Sequence, residues 1–124
     1  MIKHILLVGI GGAVGSILRY LTALFVSKYY ANIFPLATFT ANVVGCLLIG
    51  LFIGFLNRYY QADADLRLLL ATGFCGGYTT FSAFSAESLH LLQQGNYLIA
   101  LTYVGVSVVF SLLAVGVGLA LFEV

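Results

Sequence analysis

Gly73-Phe-Cys-Gly-Gly-Tyr-Thr-Thr-Phe-Ser-Ala-Phe84 is the stretch on which the fold turns. Three glycines, two adjacent threonines, a serine and four aromatic rings fall in the middle of an apolar segment. Glycine inside a helix costs about 1 kcal/mol relative to alanine, and a membrane helix has little reason to gather several there. In hydrocarbon, irregular backbone is tolerated only where protein buries it or where it lines a cavity. The run predicts a membrane helix broken near residues 75–80, and it marks a site.

The whole chain supports a bilayer setting. It has 124 residues, 62% hydrophobic and 7% charged, with a mean hydropathy of +1.11. A soluble domain carries roughly a quarter of its residues as Asp, Glu, Lys or Arg. At about 20 residues per crossing, the expected architecture is all-α: one four-helix transmembrane domain over residues 1–124. A net charge of +1 offers no footprint for nucleic acid. The N-terminus runs directly into apolar sequence without a small-residue cleavage signal, so it reads as the first helix and not as a removed leader. Cys46 and Cys75 both fall inside apolar segments and read as buried small hydrophobes.

Working outward from the opening stretch, the third segment covers about 66–92, with Asp65 placed to cap it. Gly95 suits a left-handed helix end before a fourth segment, about 97–122. The first segment spans about 5–26 and the second about 35–56, opened by Pro35, the only proline. Orientation is weakly encoded. Lys3, Arg58 and Arg67 share one side against Lys28 on the other, a small bias by the positive-inside rule, and insertion both ways is open.

Polar residues line up on several segments. Thr38 and Asn42 are i, i+4 on the second, with Gly45 on the same face. Such residues serve either as interhelical hydrogen-bonding glue or as the lining of a path. Phe81 and Phe84 share a face of the third segment, with Thr80 adjacent and Glu87 three residues beyond Phe84. Tyr103, Ser107 and Ser111 continue the pattern on the fourth. Gly11, Gly12 and Gly15, and Gly50 and Gly54, let helix backbones approach closely. Arg19 shares a face with Gly15; it either snorkels to an interface or biases the interior towards anions. His4 and His90 sit near helix ends and read as interfacial. The track is rich in donors and lacks an acid at mid-membrane, and phenyl ring edges carry partial positive charge. That chemistry suits a small anion.

Three motifs, in order along the whole chain, resemble the Fluc (CrcB) fluoride channels. They are Gly11-Gly12-x-x-Gly15-x-x-x-Arg19-Tyr20, then Thr38-x-x-x-Asn42-x-x-Gly45. The third is Gly73-x-x-Gly76-Gly77-x-Thr79-Thr80-Phe81-Ser82-x-Phe84-x-x-Glu87. The resemblance implies an antiparallel, dual-topology homodimer in a bacterial or archaeal inner membrane, passively exporting fluoride and not catalysing a reaction. It implies that Asn42 donates to fluoride, that Phe81 and Phe84 present ring edges, and that Thr38, Thr80, Tyr103 and Ser107 line the path beside Glu87. It further implies a structural Na⁺ held by backbone carbonyls of Gly76 and Thr79 from both chains. Gly12, Gly15 and Arg19 would serve packing and anion bias. Ala83 stands where many relatives carry a hydroxyl, and Tyr78 where they vary among apolar residues.

Two other classes stay in view. A small four-helix drug exporter has a similar length, but its mechanism needs an embedded carboxylate, and the first segment holds Arg19 and no acid. A non-transporting membrane subunit would use the glycines for packing alone.

Overall fold

A computed structural model describes residues 1–60 and 63–123; Gln61 and Ala62, within the polar stretch 57–65, lie outside them, as does Val124. Among the described residues every regular element is helical. Helix α1 is Ile2–Tyr29 and α2 is Leu36–Tyr59. A composite third segment follows, made of α3 (Ala64–Arg67), a π-helical stretch Leu68–Cys75, α4 (Gly76–Tyr78) and α5 (Phe81–Gln93). Helix α6 is Tyr97–Ala120. The helices α1, α2 and α6 are long and apolar enough to cross a membrane. The third segment is interrupted, so neither of its parts has that length alone. Three such helices are what a multi-pass membrane protein carries.

The ends of these elements follow from their residues. Pro35 directly precedes α2, and its carbonyl accepts from Phe39 N at 3.1 Å. The turn after α5 closes by a Schellman pattern. Asn96 N donates to Leu91 O at 2.9 Å and Gly95 N to Leu92 O at 3.1 Å, with Gly95 at φ +80°, where a Cβ would be strained. The cap of the third segment differs from the expectation. Asp63, not Asp65, accepts from Leu66 N at 3.1 Å. Asp65 lies inside the first turn, two residues past the cap, and pairs instead with Lys3 Nζ at 2.7 Å.

Backbone contact organises the packing on both sides. A Cβ on Gly11 or Gly15 would overlap the carbonyls of Leu69 and Phe74, so α1 lies directly on the π-helical stretch. From the other side, a Cβ on Gly77 would come within 2.5 Å of Gly12 O. Helix α2 rests on α6 in the same manner, Gly50 against Val115 and Gly118, and Gly54 against the Phe122 ring. At the ends of that pair Arg58 Nη1 donates to Phe122 O at 3.0 Å. Without a hydrophobic force between helices in lipid, close van der Waals contact of this kind drives association. The α5–α6 contact is different. There Leu91, Ala100 and Tyr103 form a buried cluster with Phe34, Phe39, Phe84 and Ile99 against it.

Candidate functional site at a helix break

The interruption falls on Thr79 and Thr80, both extended (φ/ψ −88/161° and −151/115°). Gly76–Tyr78 stays helical, so the break falls at the downstream end of the expected 75–80 stretch. The reason lies in the hydrogen bonds. Thr79 closes the upstream helix by donating both N–H and Oγ1–H to Cys75 O, at 3.0 and 2.9 Å. Beyond it the backbone is taken over by side chains. Thr80 N donates to Asn42 Oδ1 at 2.8 Å, and Asn42 Nδ2 donates to Thr80 O at 3.1 Å. Thr80 is also the N-cap of α5, its Oγ1 accepting from Ala83 N at 3.1 Å.

These substitutions release carbonyls. In an unbroken helix Gly76 O would accept from Thr80 N, and Thr79 O from Ala83 N. Asn42 Oδ1 and Thr80 Oγ1 hold those two donors instead. Gly77 O accepts from Arg19 Nε at 3.1 Å. Among the described residues, Gly76 O and Thr79 O receive no backbone donor outside the helices. Carbonyl oxygens freed in this way are the kind of ligand a hard cation takes.

Downstream, Glu87 is a hub. Thr38 Oγ1 donates to its Oε2 at 2.8 Å and Tyr103 Oη to its Oε1 at 2.9 Å. One carboxylate thus joins α2, α5 and α6. Phe84 lies between the hub and the break, 5.2 Å from the Tyr103 ring and 5.8 Å from the Phe81 ring. Phe81 itself is 79% exposed, with its ring turned out of the chain.

Three cavities surround this assembly. A cavity of about 250 Å³ is lined by Asn42, Cys46, Thr79, Thr80, Phe81, Phe84, Ser107, Val108 and Ser111. Ser107 is buried (6% exposed) and its hydroxyl has no partner among the described residues. Buried polar groups are seldom left unpaired, so this hydroxyl points to an occupant. Asn42 keeps a second Nδ2 proton beyond the one given to Thr80. A cavity of about 340 Å³ holds Arg19 with Ser16, Tyr20, Thr38, Thr80 and four alanines, Ala83 among them. Thr80 borders both cavities, so the Asn42–Thr80 clamp stands between them. Glu87 and His90 open onto a third, with Ile33, Pro35, Ala86 and Leu91.

The structure therefore brings Asn42, Thr80, Phe81, Phe84 and Ser107 around one cavity, with Thr38, Glu87 and Tyr103 joined next to it. Arg19 neither snorkels free nor stands alone; it grips the carbonyl before the break. Gly12 and Gly15 sit at the α1 packing seam and line none of the three cavities described. The capping role of Thr80 escaped sequence reasoning, although a threonine directly before an apolar helical run is a standard start signal. The Tyr78 hydroxyl contact to Thr22, at 2.8 Å, carried no local signal at all, since 56 residues separate the partners.

A family model described as CrcB-like protein, Camphor Resistance (CrcB), matches residues 6–119. The chain belongs to the CrcB family. It is 50% identical over 117 residues, 94% of each chain, to a protein of Flavobacterium psychrophilum named fluoride-specific ion channel FluC. Proteins of the same name from Rhizobium meliloti (47% over 121 residues, 98% of this chain and 97% of the relative) and Azobacteroides pseudotrichonymphae (41% over 123 residues, 99% and 98%) are similar throughout. The CrcB match takes in every element of the site, from Arg19 to Ser111.

Proposed function

We propose that this chain is a fluoride-specific ion channel that lets cytoplasmic fluoride leave the cell passively and so relieves its toxicity. The observation that carries the reading is the 50% identity, over 94% of both chains, to a relative bearing that name. The site chemistry agrees with it. Small hydrated anions need close donors in place of water, and the cavity beside the break offers the spare Asn42 proton and the Ser107 hydroxyl. Phe81 and Phe84 complete its wall, and Thr38, Thr80, Tyr103 and Glu87 continue the polar lining. Fluoride enters cells as the neutral acid, dissociates and is trapped; an inside-negative potential then drives the anion outward through a channel without further energy.

The same reading has two copies of the chain assembling antiparallel in the inner membrane. Gly76 is exposed, and Gly76, Gly105 and Gly116 have room for a Cβ within the chain, so contacts inside the chain do not demand glycine there. The outward ring of Phe81 supports a second copy as well. The released carbonyls of Gly76 and Thr79 fit a Na⁺ ion, which when bound supplies a fixed positive charge joining the copies.

Fluoride efflux from proteoliposomes carrying the purified protein, with chloride as control, tests the proposal. Fast fluoride efflux with little chloride movement is expected. Absent fluoride flux, or equal flux of both halides, overturns it. Replacing Na⁺ throughout by a large organic cation is expected to abolish flux, and full activity without Na⁺ removes the cation from the reading. Accessibility of tagged termini from both sides is expected; a single orientation for every chain rules out the antiparallel pair.

A further inference from the structure

The break is held from its downstream side by Asn42, and α1 holds it from the upstream side through a second contact. Tyr78 is the last helical residue before the interruption and is 7% exposed. Its backbone meets Gly15 of α1 and its ring meets Gly45 of α2, positions where a Cβ would come within 2.8 Å and 3.2 Å of it. Its ring is parallel to that of Phe74, one turn earlier, at 6.1 Å. The hydroxyl at the far end of this wedged ring lies 2.8 Å from Thr22 Oγ1.

The direction of that bond follows from its surroundings. Thr22 Oγ1 also lies 2.9 Å from Leu18 O, and a carbonyl can only accept. The single Thr22 proton therefore goes to Leu18, and Tyr78 donates to the threonine oxygen. Three residues away on α1, Arg19 holds the carbonyl of Gly77. Together they fix the last two helical residues before Thr79, whose backbone turns extended. Removing the Tyr78 hydroxyl leaves Thr22 satisfied by Leu18, so the contact can be subtracted cleanly.

We infer that Thr22 and Tyr78 are a positioning pair that sets where the upstream helix stops, and so where the carbonyls of Gly76 and Thr79 lie. The link to ion binding rests on the proposed channel reading; the link to the break does not. The pair touches no ion and acts through the backbone it anchors.

Tyr78→Phe, Thr22→Val and the double variant test it, each keeping the shape of the side chain. Hydrogen exchange of the Thr79 and Thr80 amides, followed by NMR on the intact protein in micelles, is expected to quicken about three- to tenfold in each single variant, the equivalent of one buried hydrogen bond. The double variant is expected to match the singles. In proteoliposomes the Na⁺ concentration needed for half-maximal fluoride efflux is expected to rise several-fold in parallel. Unchanged exchange at residues 79–80, or additive effects in the double variant, overturns the pair. Quickened exchange spread evenly over the protein, with an unmoved Na⁺ requirement, reduces it to a general packing contact and overturns the positioning role. Should the parent protein itself carry no fluoride, the channel reading fails while the exchange data still decide the pair.

Discussion

The two parts of the third segment are built on opposite plans. Upstream, the π-helical stretch and α4 lie against α1 chiefly through backbone: Gly11 and Gly15 meet the carbonyls of Leu69 and Phe74, and Gly77 meets Gly12, with Arg19 and Thr22 reaching Gly77 O and the Tyr78 hydroxyl beside that seam. Downstream, α5 meets its neighbours through long polar and aromatic side chains, with Glu87, Thr38 and Tyr103 hydrogen-bonded across three helices. Backbone contact fixes how closely the helices approach and leaves little choice of partner. Side-chain contact leaves cavities and unspent donors. The contrast teaches that the upstream part serves as an anchor and the downstream part as a lining, with Thr79 and Thr80 as the joint.

The sharpest way to break the contrast is to put bulk into the upstream seam. Gly15→Leu places a side chain where even a Cβ overlaps Phe74 O, and backbone cannot yield as a flexible side chain would. Overpacking costs about 1–3 kcal/mol where side chains can yield and more where they cannot, and the variant is expected to lose its monodisperse peak in size-exclusion chromatography. A stable, well-folded Gly15→Leu protein would show that α1 and the third segment are looser than described.

The next effect tests the joint. Asn42→Ala removes both hydrogen bonds to Thr80 and leaves part-buried backbone groups without those partners, at roughly 1–3 kcal/mol. The melting temperature in detergent is expected to fall modestly and fluoride efflux to drop at least tenfold. Unchanged efflux would deny Asn42 any part in the path.

On the lining, Glu87→Gln keeps size and shape but replaces an acceptor for both the Thr38 and Tyr103 hydroxyls by an amide. Fluoride efflux is expected to change several-fold while melting moves by less than in Asn42→Ala. Phe81→Ile is expected to lower efflux with melting nearly unmoved, because that ring makes little contact within its own chain. Equal losses of stability in all three would erase the distinction between joint and lining.

The smallest effect lies at the membrane surface, where Lys3 and His4 meet Asp65 at 2.7 and 3.5 Å. The hydrogen bond from Lys3 holds the Asp65 carboxyl below the usual carboxylate range, aided by the nearby charges of Lys3 and His4. A lowered acid contributes stability above its unfolded value, near pH 4, and loses it as pH falls through the folded value. The melting difference between parent and Asp65→Asn is expected to be small at neutral and mildly alkaline pH and to vanish in strong acid. A difference that persists undiminished in strong acid would refute the pairing.

Much of this architecture was legible because bilayer physics constrains it so strongly. The apolar runs announced the helices, and the glycine-and-hydroxyl cluster announced the interruption. The i, i+4 spacing of Thr38 and Asn42 placed them on one face. What stayed hidden is the exchange of hydrogen-bond partners. Nothing local says that Asn42 spends one end of its carboxamide on Thr80 N and one proton on Thr80 O. Nor does sequence reveal that Arg19 reaches the Gly77 carbonyl across 58 residues. The cap at Asp63 was missed by two positions because both aspartates are good caps, and only the Lys3 contact separates them.

Helix α5 has 13 residues, about 20 Å at 1.5 Å per residue, against a hydrocarbon core of about 30 Å. With α5 ending near one surface, Thr79 and Thr80 fall somewhere near the middle of the membrane's electric field. A full crossing of one elementary charge is worth about 2.3 kcal/mol per 100 mV; a charge resting at the joint has taken up roughly half of that, about 1 kcal/mol. Any ion that binds at that depth would therefore feel the membrane voltage, with no charged helix that has to move.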